Sequence, residues 1–228
     1  MKGTVLSLGL HKILNCINKK KTNYDTKICT NLYSWEELES LINIRPITNV
    51  DRFHTTGNTQ NLKWQPSAWL SDVRSIPANC IIPVIEQGVC WISDMSRANK
   101  KINNICNFIE QKTGGEVDVH IYFDLYKSNN GTSLHKHWDK ADNVIIQVEG
   151  QTNFKVWNIE CTEGPSKIYT EEKPIIDVIM NPGDIIFIPK HIVHQATSLS
   201  KRLSLSIPIS YLGDEKQNRE WINICCNK

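Results

Sequence analysis

LHKHWDKADNVIIQVEG, residues 134–150, sets a histidine and an aspartate two positions apart, just ahead of an apolar run and a Glu-Gly turn. On an extended chain residues i and i+2 point to one face, so His137 and Asp139 can turn a nitrogen and an oxygen toward the same point. Alone the triplet means little, because a surface histidine beside an aspartate is its ordinary reading. The residues downstream give it weight. Asn143–Val148 reads as a strand, Glu149-Gly150 as a tight turn, and Phe154–Ile159 as the other arm of a hairpin. Farther on, Asn181-Pro-Gly-Asp184 turns into Ile185-Ile-Phe-Ile-Pro189 and reaches His191 and His194. A metal strand, a hairpin, and a returning strand that ends at a distal histidine is the order of a double-stranded β-helix. Two imidazoles and one carboxylate cover one face of an octahedral metal and leave the opposite positions open. Four protein ligands would suggest a closed structural site instead.

Working outward, Val117–Tyr126, Ile175–Met180, Asp184–Ile188 and Arg202–Ile209 carry the same Val-, Ile- and aromatic-rich texture. Asn129-Asn-Gly131 and Gly164-Pro165 supply further turns, and many short strands imply a sandwich or barrel. The expected fold is mainly β: a double-stranded β-helix (jelly-roll) with flanking helices in the N-terminal half and at the C-terminus. Ser34-Trp-Glu-Glu37 is a capping box that opens a short helix over 34–43. A second helix is expected over 95–112, with Ile102, Ile105, Cys106 and Ile109 on one face and Gly114-Gly115 ending it. Residues 1–33 read as polar and irregular, 46–90 as loops with one or two strands, and 214–225 as a closing amphipathic helix. The chain divides into an N-terminal extension (1–87), the jelly-roll (88–212) and a C-terminal helix (213–228).

With 228 residues, 40% hydrophobic and 22% charged, the chain has the bulk of one soluble globular domain with an extension. A net charge of +2 gives no electrostatic reason to invoke nucleic acid or a membrane surface. The run Lys19-Lys20-Lys21 reads as a solvated loop. Eight cysteines without a CxxC pair suit a reducing cytoplasm better than a disulfide framework or a zinc knuckle. The opening apolar stretch is short and broken by His11 and Lys12, which argues against a signal peptide or a lipid anchor at Cys16.

From about Gly88 to Ser210 the chain resembles the Jumonji-C (JmjC) oxygenases, particularly their cupin-like ribosomal-oxygenase and asparaginyl-hydroxylase branch. The residues that carry the resemblance are His120-Ile-Tyr122, His137-Trp-Asp139, Asp142, Gln147, Gly150, Pro182-Gly-Asp184, Pro189, His194 and Leu203-Ser-Leu-Ser206. The resemblance implies a jelly-roll that binds Fe(II), uses 2-oxoglutarate and O2 as cosubstrates, and hydroxylates an unactivated C–H bond. It makes His137, Asp139 and His194 both the metal ligands and the catalytic centre. His135 and His191 are near-misses, expected at the surface or behind the ligands, and Trp138 is expected to pack on the opposite face.

One departure stands out. Family members anchor the far carboxylate of 2-oxoglutarate with a Lys or Arg two residues after the glycine, where this chain has Thr152. A dicarboxylate in an apolar barrel needs a cation. Arg202 is the favoured replacement, an Arg fork that binds carboxylate bidentately with Thr152 donating a further hydrogen bond. Lys155 is the runner-up, although strand alternation points it away from Thr152. Tyr122 and Asn143 match cosubstrate-pocket positions, and His120 replaces a common Asn. Two other readings stay open: a cupin-like module that keeps its metal without oxygenase activity, and a metal cupin that acts without 2-oxoglutarate. The substrate is a peptide side chain, a free amino acid or a small metabolite, and oligomeric state is unreadable.

Overall fold

The structure is a computed structural model that describes residues 5–28, 30–42, 52–56, 83–126, 135–162 and 171–211. In chain order its elements are α1 (Val5–Asn18), β1 (Asn23–Asp25), α2 (Trp35–Ile42), β2 (Phe53–Thr55), β3 (Cys90–Ile92) and α3 (Lys100–Thr113). Then come β4 (Glu116–Val117), β5 (His120–Asp124), β6 (Asp142–Glu149), β7 (Thr152–Glu160) and β8 (Ile176–Met180), and after them β9 (Ile185–Ile188), β10 (Ile192–Ser198) and β11 (Arg202–Ser210).

Two sheets face each other. The larger has eight strands in the order β1-β9-β6-β11-β5-β3-β2, with β4 also paired to β11; the smaller runs β10-β7-β8. All the named pairings are antiparallel. This is the jelly-roll expected from the strand spacing. β6 is buried on both faces, and its alternation explains how. Val144, Ile146 and Val148 join a core with the helices, including Ile13, Ile17, Ile102, Ile105 and Ile109. Ile145 turns the other way and packs between the sheets with Phe154, Val156, Met180, Ile186 and Ile188. At about 1.5–3 kcal/mol for each fully buried large aliphatic side chain, these two layers dominate the fold's stability.

Local signals set the element ends. Ser34 Oγ accepts from the Glu37 N–H at 3.2 Å, which caps α2. α3 begins five residues later than its expected start at 95, because Asn99 is the cap: its Oδ1 accepts from Ile102 N–H at 2.9 Å. Gly114 closes it in the left-handed region at φ +70. Val117–Tyr126 is not one strand; the chain breaks at residues 118–119 into β4 and β5. Residues 1–33 are not irregular either, since they hold α1 and β1. Ile13, Cys16 and Ile17 bury one stripe of α1, and His11 meets Phe108 of α3 edge-on at 6.0 Å. The N-terminal segment also contributes β1, which pairs with β9, so it is built into the large sheet. The expected helix over 214–225 lies outside the described residues. Among the described residues no helix is long and apolar enough to cross a membrane.

Candidate metal centre

His137 and His194 face each other through an isolated two-way bridge. The His137 N–H donates to the His194 carbonyl at 3.0 Å, and the His194 N–H to the His137 carbonyl at 2.8 Å. Directly opposed residues of an antiparallel pair share a face, which sets the two rings side by side with centroids 4.3 Å apart. His137 is therefore aimed by this single bridge and not by the continuous strand expected from the sequence. Asp139 is fixed separately: its carbonyl accepts from the His191 N–H at 2.8 Å. His191 sits at φ +70, on a turn and not on extended chain, and packs its ring against Trp138. Trp138 itself is buried with Trp157 and Val193.

The three side chains converge. Asp139 Oδ2 lies 3.4 Å from His194 Nε2, and Oδ1 lies 3.9 Å from His137 Nε2. One donor atom from each residue falls within 4.8 Å of the others. His137 Nδ1 is 2.7 Å from the His135 carbonyl and His194 Nδ1 is 2.9 Å from the Ile192 carbonyl. A carbonyl can only accept, so each Nδ1 carries a proton, and Nε2 is the atom each ring turns toward Asp139 and leaves to a metal. Burial, reinforced by His194, holds the His137 imidazole down at about 4, so that ring is neutral at physiological pH. Burial would raise the Asp139 carboxyl, but the hydrogen bond and charge of His194 outweigh it and hold the group well below the usual carboxylate range. His194 responds in kind, its pKa raised by Asp139 against the effect of burial. Asn143 Nδ2 donates to Asp139 Oδ2 at 3.2 Å, and Ser206 Oγ donates to Asn143 Oδ1 at 3.0 Å, so the carboxylate is held from behind. Phe154 stacks on the His194 ring.

These residues line a cavity whose walls also include Tyr122, Ala196, Ser204 and Arg202. Two imidazoles and one carboxylate on one side of such a cavity suit a divalent transition metal with positions left open. A JmjC domain family model matches residues 96–216, more than half of the chain. The chain belongs to the JmjC domain family.

The similar proteins agree with that placement. The chain is 30% identical over 116 residues to the bifunctional lysine-specific demethylase and histidyl-hydroxylase NO66 of Caenorhabditis elegans, a match over 46% of this chain and 15% of that protein. It is 24% identical over 115 residues to ribosomal oxygenase 1 of Danio rerio, over 46% of this chain and 20% of that protein. The chain thus spans a fifth or less of the length of these relatives. Among solved structures, the ribosomal oxygenase YcfD of Escherichia coli in complex with cobalt and 2-oxoglutarate superposes with a TM-score of 0.62 at 17% identity, covering 96% of this chain and 56% of that one. At that identity the likeness speaks for the fold.

In this JmjC chain the cavity floor departs from the family pattern, and the structure shows how. Gly150 lies at φ +68, and a Cβ there would run into the Lys201 carbonyl and stand 2.9 Å from Arg202 Cα. The β6–β7 hairpin therefore presses directly on the start of β11, bringing Thr152 and Arg202 together from 50 residues apart. Arg202 Nη1 donates to Thr152 Oγ1 at 3.2 Å, and Thr152 Oγ1 donates onward to Gln147 Oε1 at 2.9 Å. Gln147 Nε2 donates to the Glu149 carbonyl at 2.7 Å, which fixes the amide orientation. Thr152 has thus given away its one proton. In this arrangement it braces the guanidinium. Burial draws Arg202 down to about 10, opposed by its cross-strand partner Asp124, so it stays cationic at neutral pH. Lys155 points to the other face of β7 and pairs with Asp177 at 3.5 Å. His120 sits at the rim, its Nε2 3.1 Å from Asp118. His135 is exposed and reaches the centre through its carbonyl.

Proposed function

We propose that the chain is an Fe(II)- and 2-oxoglutarate-dependent hydroxylase of a protein or peptide side chain or an amino-acid-like substrate. The observation that carries this reading is the convergence of His137, Asp139 and His194 in a cavity that also holds the buried cation Arg202. Support comes from the relatives, named as histidyl-hydroxylase and ribosomal oxygenase, and from the YcfD complex with cobalt and 2-oxoglutarate.

The donor set fits Fe(II). His137 Nε2, His194 Nε2 and an Asp139 oxygen would hold it, with Asn143 and Ser206 keeping the carboxylate oriented. Bound there, Fe(II) would supply O2 activation coupled to oxidative decarboxylation of 2-oxoglutarate to succinate and CO2, which drives C–H hydroxylation. Arg202 would receive the far carboxylate of 2-oxoglutarate, with Tyr122 and Asn143 on the cavity wall between floor and triad. Phe154, Ile145 and Ala196 present apolar surface that excludes water from the reacting centre. The free thiols of Cys16, Cys90, Cys106 and Cys161 are consistent with the cytoplasmic location expected from the sequence.

The test is Fe(II)-dependent succinate release with candidate peptides and amino acids, with mass detection of a product one oxygen heavier. His137→Ala and Asp139→Ala are expected to abolish both signals. Turnover unchanged in those variants would contradict the assignment.

A further inference from the structure

The segment that carries His137 and Asp139 is joined to the chain opposite it by an isolated bridge, His137 to His194. A segment paired at one point can pivot about it, and Asp139 lies two residues beyond that point. A continuous ladder would remove this freedom, because each further pair fixes another residue. Here the second fixed point comes from the turn ahead of β10. The Lys190 N–H donates to Asp142 Oδ1 at 3.0 Å, and the His191 N–H donates to the Asp139 carbonyl at 2.8 Å. Two successive N–H groups therefore face the same segment, whereas along a strand they point to opposite sides. The His191 backbone allows it: at φ +70 it is left-handed, and a left-handed residue in a turn lets neighbouring N–H groups converge. The His191 carbonyl accepts from the Cys161 N–H at 2.8 Å, just past the end of β7, so the turn is anchored on both sides.

Glycine adopts this conformation without steric cost, and a residue with a Cβ does not. The ring offsets the strain. It meets Trp138 edge-on, with centroids 5.4 Å apart and planes at 66°, a geometry that aromatic pairs favour. Trp138 stands between the two ligands in the chain, and its indole is buried with Trp157 and Val193. His191 thus grips the paired-ligand segment twice, by its backbone at Asp139 and by its ring at Trp138. The same turn reaches His194 three residues later, so the brace and the distal ligand belong to one piece of chain.

We infer that His191 is a positioning residue of the metal centre, which fixes Asp139 relative to His194 by holding the paired-ligand segment at a second point. Its ring lies outside the donor cluster and acts through Trp138. This rests on the metal-site reading proposed above.

The experiment measures Mn(II) affinity, from the paramagnetic resonance of the free ion, for wild type, His191→Gly and His191→Phe. Thermal midpoints are recorded without metal. His191→Gly keeps the left-handed turn and removes the ring, whereas His191→Phe keeps an aromatic ring against Trp138. His191→Gly is expected to bind Mn(II) about tenfold more weakly, the lower end of the range for contacts behind a metal ligand. His191→Phe should recover most of that affinity. If His191→Gly has a lowered midpoint but wild-type Mn(II) affinity, the residue is merely structural and the inference is overturned. A His191→Phe protein that binds no better than His191→Gly also overturns it, because the ring contact is then not what fixes the segment. In both cases wild type still binds Mn(II), and the metal-site reading stands. If wild type itself binds no Mn(II), that reading falls and the inference falls with it.

Discussion

Asp139 shows how much of the site depends on groups that would not touch the metal. Its carboxylate is braced by the Asn143 amide, and that amide is braced by Ser206. Outer contacts of this kind are commonly worth 10–100-fold in metal affinity or activity. Asn143→Ala is therefore expected to weaken Mn(II) binding, monitored by paramagnetic resonance of the free ion, by about 10–100-fold with the fold intact. Affinity equal to wild type would mean that Asp139 is held by its backbone alone. The sequence could nominate Asn143 as a pocket residue. It could not say that the amide points at Asp139, because that depends on the register of β6 against β11, where Asn143 pairs with Pro208.

At the scale of elements, the β6–β7 hairpin and the start of β11 act as one unit. Gly150 is required because Lys201 and Arg202 occupy the space any Cβ would need. The contact brings Arg202 of β11 beside Thr152, the position at which the proposed cosubstrate anchor is expected. It also makes the replacement testable. Arg202→Ala should cost 2-oxoglutarate affinity by about 30-fold or more, the usual penalty for truncating one side of a buried charged pair. Adding Thr152→Lys to that variant should recover most of it, measured by calorimetric titration of the Mn(II)-loaded protein with 2-oxoglutarate. No recovery would show that the floor is shaped for a guanidinium on β11 and not for a cation in general. Strands β6 to β9 and β11 are legible in the chain because period-two apolar runs and Asn-Pro-Gly-Asp and Glu-Gly turns are local signals, whereas β10, which carries His194, is expected only as the end of the strand before it. α1 is not legible, because its apolar run is interrupted by Gly9, His11 and Lys12, and the burial of Ile13, Cys16 and Ile17 depends on elements such as α3 arriving from far along the chain. The destination of the Thr152 proton is hidden for a similar reason: its acceptor, Gln147, is across the hairpin.

Over the whole molecule, one apolar layer joins the N-terminal helices to the large sheet, and a second lies between the sheets around the site. The first layer predicts that the N-terminal segment contributes to stability directly. Ile17→Ala, at a buried position on α1, should lower unfolding free energy by about 2–5 kcal/mol in urea denaturation. A change under about 0.5 kcal/mol, within the range of an ordinary surface substitution, would mean that α1 is peripheral. The second layer borders the cavity that holds both the triad and Arg202, and the proposed chemistry depends on that arrangement. Anomalous diffraction from crystals grown with Mn(II) and 2-oxoglutarate tests it most directly. The predicted result is a single strong manganese peak among His137 Nε2, Asp139 and His194 Nε2, with the far carboxylate of 2-oxoglutarate on Arg202. A peak elsewhere, or a carboxylate seated on Lys155, would contradict it.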